Sequence, residues 1–239
     1  MMKKEIIEHS IDRLCNALRL FGECSFSVKN LIYIDKEEAV DNHDRAFEAI
    51  LESFHTLYDT SKKKVNYFKN PSASLLIIIR NAIHHRDHSL FNSWNRAMVR
   101  NSGYKKYNGA EFLLCSYNPL NVDSHVMQYY YKLDDIFTQL DNGKYIKPEN
   151  KKIIIDGLSL NSIKNYAINN RYPSEQVYLN IIPVMCSAVR YTFDELLKNG
   201  IEPSGFDSEV YLNHFTTNGF FNLKSINYRP WRIIDFTSV

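Results

Sequence analysis

The run Ser72-Ala73-Ser74-Leu75-Leu76-Ile77-Ile78-Ile79 constrains this chain most. It carries no charge and must be buried, yet it leads directly into Arg80-Asn81-Ala82-Ile83-His84-His85-Arg86-Asp87-His88. A helix that turns Ile79 and Ile83 inward holds Arg80, Asn81 and one of His84 or His85 at a fixed place near its end. Asn70 suits the cap of that helix and Pro71 its first position. The β-branched residues of the run would also suit a buried strand, but its length and the register continuing through Ile83 decide for a helix.

Helical spacing recurs on both sides. Ile7, Ile11, Leu14, Leu18 and Phe21 form one apolar stripe, with Gly22 as its expected stop. Residues 24–35 stay open between a loop and a short strand. A second helix starts at Asp35, with acids crowding its first turns and Phe47, Ile50, Leu51, Phe54, Leu57 and Tyr58 facing inward. A further stripe runs from Leu90 to Met98. Residues 110–117 suit a short strand, and the spacing from Val126 to Leu140 predicts a helix ending at Asn142-Gly143. Beyond the lysine-rich stretch around Pro148, Ser159 would open a short helix. A longer one would run from Ser174 to Gly200, with Pro183 kinking or splitting it. The tail from Phe206 reads as irregular and aromatic, with Asn218-Gly219 and Arg229-Pro230 as turns.

The expected fold class is therefore all-α: an antiparallel helical bundle over residues 1–143, then a C-terminal helical extension over 144–239 packed on it, with room for one short β-hairpin. The chain's 239 residues can bury a substantial core without disulfides. Cys15, Cys24, Cys115 and Cys186 are too scattered for a zinc or dithiol motif and read as reduced thiols of a cytoplasmic protein. No apolar run reaches the length of a membrane span, and charges occupy the place of a signal-peptide core. A net charge of +2 excludes a general basic coat for nucleic acid, so any such binding must be local.

Two local surfaces qualify as RNA contacts. The connector 61–69 offers Lys63, Lys64 and Lys69, and the loop 101–109 sets Lys105 and Lys106 beside Tyr104; lysines would meet phosphate while rings stack on bases. Between them lies the ionisable cluster. Arginine presents a planar fork that fits phosphate, and histidine can take and return a proton near neutral pH. These are the parts for cleaving RNA without a metal or cofactor: a base deprotonates the 2′-hydroxyl, that oxygen attacks phosphorus, and arginine stabilises the growing charge. On an ideal helix Arg80 and His84 lie about 40° apart, whereas His85 is about 140° from Arg80. A divalent ion held by His84, His85, Asp87 and His88 is the rival chemistry, weakened because neighbouring ligands on one helix diverge. His9, His43, His55, His125 and His214 read as surface or satisfied core residues.

Arg80-Asn81-Ala82-Ile83-His84-His85 resembles the signature of the HEPN superfamily, in which an arginine, usually followed by a polar residue, precedes a histidine by four to six intervening positions. By position, His85 matches the catalytic histidine, Arg80 the arginine and Asn81 its polar partner; His84 lies outside the strict spacing. The resemblance covers at most the first 140 residues. It implies a homodimer that joins two motifs into one composite site. It also implies metal-independent endoribonuclease activity of a prokaryotic toxin or antiviral-defence type, restrained by an antitoxin or sensor protein. The alternative from another class is a non-catalytic helical module that binds a partner protein, RNA or nucleotide through the same surface.

Overall fold

Two long helices open the chain in the computed structural model, which describes residues 2–84, 90–120, 127–142, 146–203, 205–217 and 221–234. The first, α1 (Met2–Leu31), buries Ile7, Ile11, Leu14, Leu18 and Phe21 and continues through Gly22 instead of stopping there. One glycine costs a helix only about 1 kcal/mol, and one turn further on the Ser25 hydroxyl meets Nε2 of His43 in the next helix. The next helix, α2 (Lys36–Ser61), lies along α1 and begins as its sequence demands: the Asp35 carboxylate accepts the Glu38 N–H at 2.9 Å. A short turn at Tyr67–Lys69 then leads into α3 (Pro71–His84). Asn70 caps this third helix, its Oδ1 accepting the Ala73 N–H at 2.9 Å, and every residue from Ser72 to Ile79 is buried.

After Leu90 the chain makes a wide helical turn at Arg96–Arg100 and a single turn, α4 (Gly103–Lys106). Then follow β1 (Glu111–Pro119), β2 (Tyr130–Lys132), α5 (Leu133–Asn142), α6 (Pro148–Gly157) and α7 (Leu160–Asn169). The chain ends with β3 (Val177–Asn180), α8 (Ile182–Lys198), α9 (Phe206–Thr217) and β4 (Phe221–Arg232). The four strands form one mixed sheet in the order β2-β3-β1-β4, with β1 parallel to β3 and antiparallel to β4.

This sheet overturns the all-α expectation: the fold is mixed α/β. Of the helix expected over Val126–Leu140, only the part from Leu133 is helical, since Tyr130–Lys132 pairs with Tyr178–Asn180 before α5 begins. The helix expected from Ser174 begins only at Ile182: Val177–Asn180 is strand, and Pro183 sits in the first turn of α8 and neither kinks nor splits a longer helix. The tail read as irregular forms α9 and the longest strand. Arg229-Pro230, read as a turn, lies inside β4, where an edge position tolerates proline's missing N–H.

Alternation along β1 assigns its two faces. Leu113, Cys115 and Tyr117 enter the main core among the helices, while Phe112 and Leu114 enter a smaller cluster with Met98, Tyr130, Tyr178 and Ile233. Buried Asn180 pins the sheet beside β2. Its Oδ1 accepts the N–H groups of Tyr129 and Ile182, and its Nδ2 donates to the Met127 carbonyl at 3.1 Å. On the main face α3 packs against α2, α5, α6 and α8. The approach of α6 is close enough that a Cβ on Gly157 would stand 2.5 Å from the Pro71 ring, so glycine is required there. The single main core draws on residues before and after the lysine-rich stretch. Among the described residues no helix is long and apolar enough to cross a membrane.

Candidate functional site

Arg80 sits on the last turn of α3 where that helix faces α2. Its side chain is 15% exposed, and Glu52 of α2 holds it by two parallel bonds: Nε donates to Oε1 at 3.1 Å and Nη2 to Oε2 at 2.8 Å. Nη1 points toward the Asn81 Oδ1 at 3.4 Å. One edge of the guanidinium is thus fixed by a carboxylate, and the remaining N–H groups are left in a defined plane. His84, one turn on, reaches the same carboxylate, with Nδ1 3.9 Å from Oε1. The 40° offset of Arg80 and His84 therefore appears in space as two side chains sharing one acid.

A second imidazole stands on α2 one turn from Glu52. His55 is half-buried, contacts Asp59 through Nδ1 at 3.3 Å, and stacks edge-on to Tyr58. Burial, and then the charge of Arg80, lower its pKa from the usual 6.5. It is consequently a neutral base at neutral pH. Sequence reading placed His55 among surface or core histidines; no local motif could link it to Arg80, because the link runs between two helices.

Of the residues singled out in the sequence, Arg80, Asn81 and His84 come together here. His85, the histidine favoured by spacing, lies outside the described residues, as do Asp87 and His88 of the rival metal set. Among the described residues no three His, Cys, Asp or Glu side chains gather in a way that could hold a metal ion. Lys63, Lys64 and Lys69 are exposed but lie at the opposite end of α3, a helix about 21 Å long. Their connector is anchored to α8 by the Tyr191 hydroxyl on the Asn66 carbonyl at 2.9 Å, and Tyr67 is core, its hydroxyl 2.6 Å from Ser61. Exposed Tyr104, Lys105 and Lys106 ride on α4 against the turn 96–100. That turn is tied to the first part of α2 through Arg96–Asp44 and Arg100–Asp41, two to three turns before Glu52. The structure does not collect these lysines around Arg80.

A cavity of about 830 Å³ opens on the other side of α2, between α1, the segment 93–95, residues 127–130 and β4. At its wall the Ser25 hydroxyl lies 3.0 Å from Nε2 of His43. His43 is 3% exposed, its ring stacked on Phe21 at 5.1 Å, and among the described residues its Nδ1 has no hydrogen-bond partner. Burial lowers its pKa despite neighbouring Asp44. A serine–histidine pair with no acid on the second ring nitrogen lacks the orienting third member of a nucleophilic triad. The Asp44 carboxylate is instead committed to the Tyr129 hydroxyl at 2.9 Å and to Arg96 Nε at 2.8 Å. Comparison with family models, with curated proteins and with solved structures finds no match to this chain.

Proposed function

We propose that the α2–α3 corner around Arg80 is the catalytic end of a metal-independent endoribonuclease, of the kind its HEPN-like motif implies, carried here on a mixed α/β fold. The observation that supports this most is the two-point clamp of Glu52 on Arg80, flanked by the imidazoles of His84 and His55. A clamped guanidinium spends no freedom when it meets a phosphate, and nearby imidazoles supply the proton acceptor and donor.

In the proposed reaction one imidazole takes the proton of an RNA 2′-hydroxyl. The 2′-oxygen forms a bond to the adjacent phosphorus as the bond to the 5′-oxygen breaks. A second acid returns a proton to that leaving oxygen, so the products carry a 2′,3′-cyclic phosphate and a 5′-hydroxyl. Arg80 stabilises the negative charge that grows on the phosphoryl oxygens, and Asn81 orients the guanidinium. His85 is the first choice for base or acid by its spacing, with His84 the second. A homodimer that sets two such corners together would supply both imidazoles from equivalent residues, and a partner protein acting as antitoxin or sensor would restrain it.

The test is incubation of purified protein with mixed RNA in excess EDTA, with end-group analysis of the products. Cleavage that persists in EDTA, yields cyclic-phosphate ends and is lost in Arg80→Ala and His85→Ala is the expected result. Cleavage that needs added metal, or survives both substitutions, overturns it.

A further inference from the structure

We infer that the cavity between α1 and the outer face of the sheet is a binding site for a free mononucleotide. It is separate from the Arg80 corner and does not depend on the nuclease reading.

Its volume, about 830 Å³, lies within the range of small-ligand sites. Its walls supply flat rings in fixed orientations. Trp94 is held edge-on by Phe112 at 5.0 Å and by Tyr178 at 4.9 Å, so the indole is positioned before any ligand arrives. Trp231, the cross-strand partner of Phe112, also lines the cavity and carries the Arg229 guanidinium 4.6 Å from its ring centroid, making a cationic plate on which a base can stack. Phe26, 82% exposed on α1, adds a ring at the rim that no apolar neighbour accounts for.

Among the described residues the charges in the cavity have one sign: Lys29, one turn beyond Phe26, and Arg229 line it, no acidic side chain does so, and neither cation forms an ion pair. Two unneutralised cations beside several aromatic planes fit a ligand that is both anionic and flat. The Ser25 hydroxyl, fixed by buried His43, and the side chains of Asn95 and Gln128 add hydrogen-bonding groups able to read a base or ribose. An aliphatic anion would leave the rings unused, and a neutral aromatic would leave Lys29 and Arg229 without a counter-charge.

Trp94 and Trp231 are the chain's two tryptophans, so intrinsic fluorescence reports this cavity alone. The experiment is a titration of the full chain with AMP, GMP, CMP and UMP, excited at the red edge of tryptophan absorption, with calorimetry as a second readout. Saturable quenching by at least one nucleotide is expected. Arg229→Gln or Lys29→Gln, each shown folded by circular dichroism, should weaken it about tenfold, the loss of one charge-assisted contact. Adenosine and inorganic phosphate are the controls and should each bind at least about tenfold more weakly than AMP, since each keeps half of the recognition. Absence of saturable binding by all four nucleotides overturns the inference. So does affinity unchanged in both variants, or phosphate or adenosine binding as tightly as the nucleotide.

Discussion

The Arg80 corner and the cavity on the far side of α2 are built in opposite ways. The corner needs only α2 and α3, consecutive helices whose caps and buried faces are local features, and its polar groups come from positions 52, 55, 80, 81 and 84. The cavity needs α1, α2, the segment 93–95, β1, residues 127–130 and β4, which approach only when the sheet is complete. A site on two neighbouring helices is cheap to disturb chemically and hard to disturb structurally. A site assembled from six segments spread along the chain is the reverse, because its walls depend on contacts between residues far apart in sequence.

The sharpest way to break that contrast is to remove the residue that joins α2 to the cavity scaffold. Asp44 is 2% exposed and serves both Tyr129, which lines the cavity, and Arg96. Asp44→Ala leaves the buried Tyr129 hydroxyl without its acceptor and Arg96 with Asp41 alone, and should cost about 3 kcal/mol in chemical denaturation. A loss below about 0.5 kcal/mol, the range of ordinary surface changes, would show that the network is not a support. At the corner the balance inverts. Arg80→Ala should reduce the proposed RNA cleavage by about 10²–10³-fold, as removal of a transition-state donor does, while changing stability by less than about 1 kcal/mol because Glu52 is substantially exposed.

Acid should sharpen the difference further. His43 and His55 both have folded-state pKa values lowered from 6.5, first by burial, so below 6.5 the unfolded chain takes up protons that the folded chain resists. Stability therefore falls as pH drops through 6.5 toward the folded values, and levels off beneath them. The melting temperature of the wild type should follow that course. His43→Phe, which keeps a ring against Phe21, should flatten it; an unchanged slope would remove His43 as its cause. The smallest effect belongs to a helix end. Asp35→Ala deletes the α2 cap and should cost about 1 kcal/mol, seen as a modest shift in the denaturation midpoint, with no change in nucleotide or RNA readouts.

The same contrast governs what could be read from residues alone. Asn70-Pro71 and Asp35 announce helices through chemistry within three positions, and α2 and α3 start where those signals place them. Among the strands only β1 shows in the sequence, as the short strand expected over residues 110–117, and the others carry no comparable signal. Val177–Asn180 is four residues long and wholly buried, so it shows no alternation, and its apolar positions continue a helical spacing into α8. Pairing with Leu113–Cys115 on one side and Tyr130–Lys132 on the other, both far earlier in the chain, makes it a strand. Glu52 and His55 read as ordinary faces of α2 because their partner Arg80 belongs to another helix. Trp94 and Trp231 read as core and tail for the same reason: a cavity wall is a relation among distant segments, and spacing within one segment does not encode it.

The position of β4 has a consequence for how the molecule behaves among its own copies. A twelve-residue strand at the end of the sheet is a template that invites another chain to extend it. Pro230 removes one main-chain donor from that edge, and Lys224, Arg229 and Arg232 crowd the same strand with like charge. At the opposite end β2 is three residues long, too short to recruit a partner. Among the described residues both margins of the sheet thus carry features that oppose cross-strand growth in a concentrated solution.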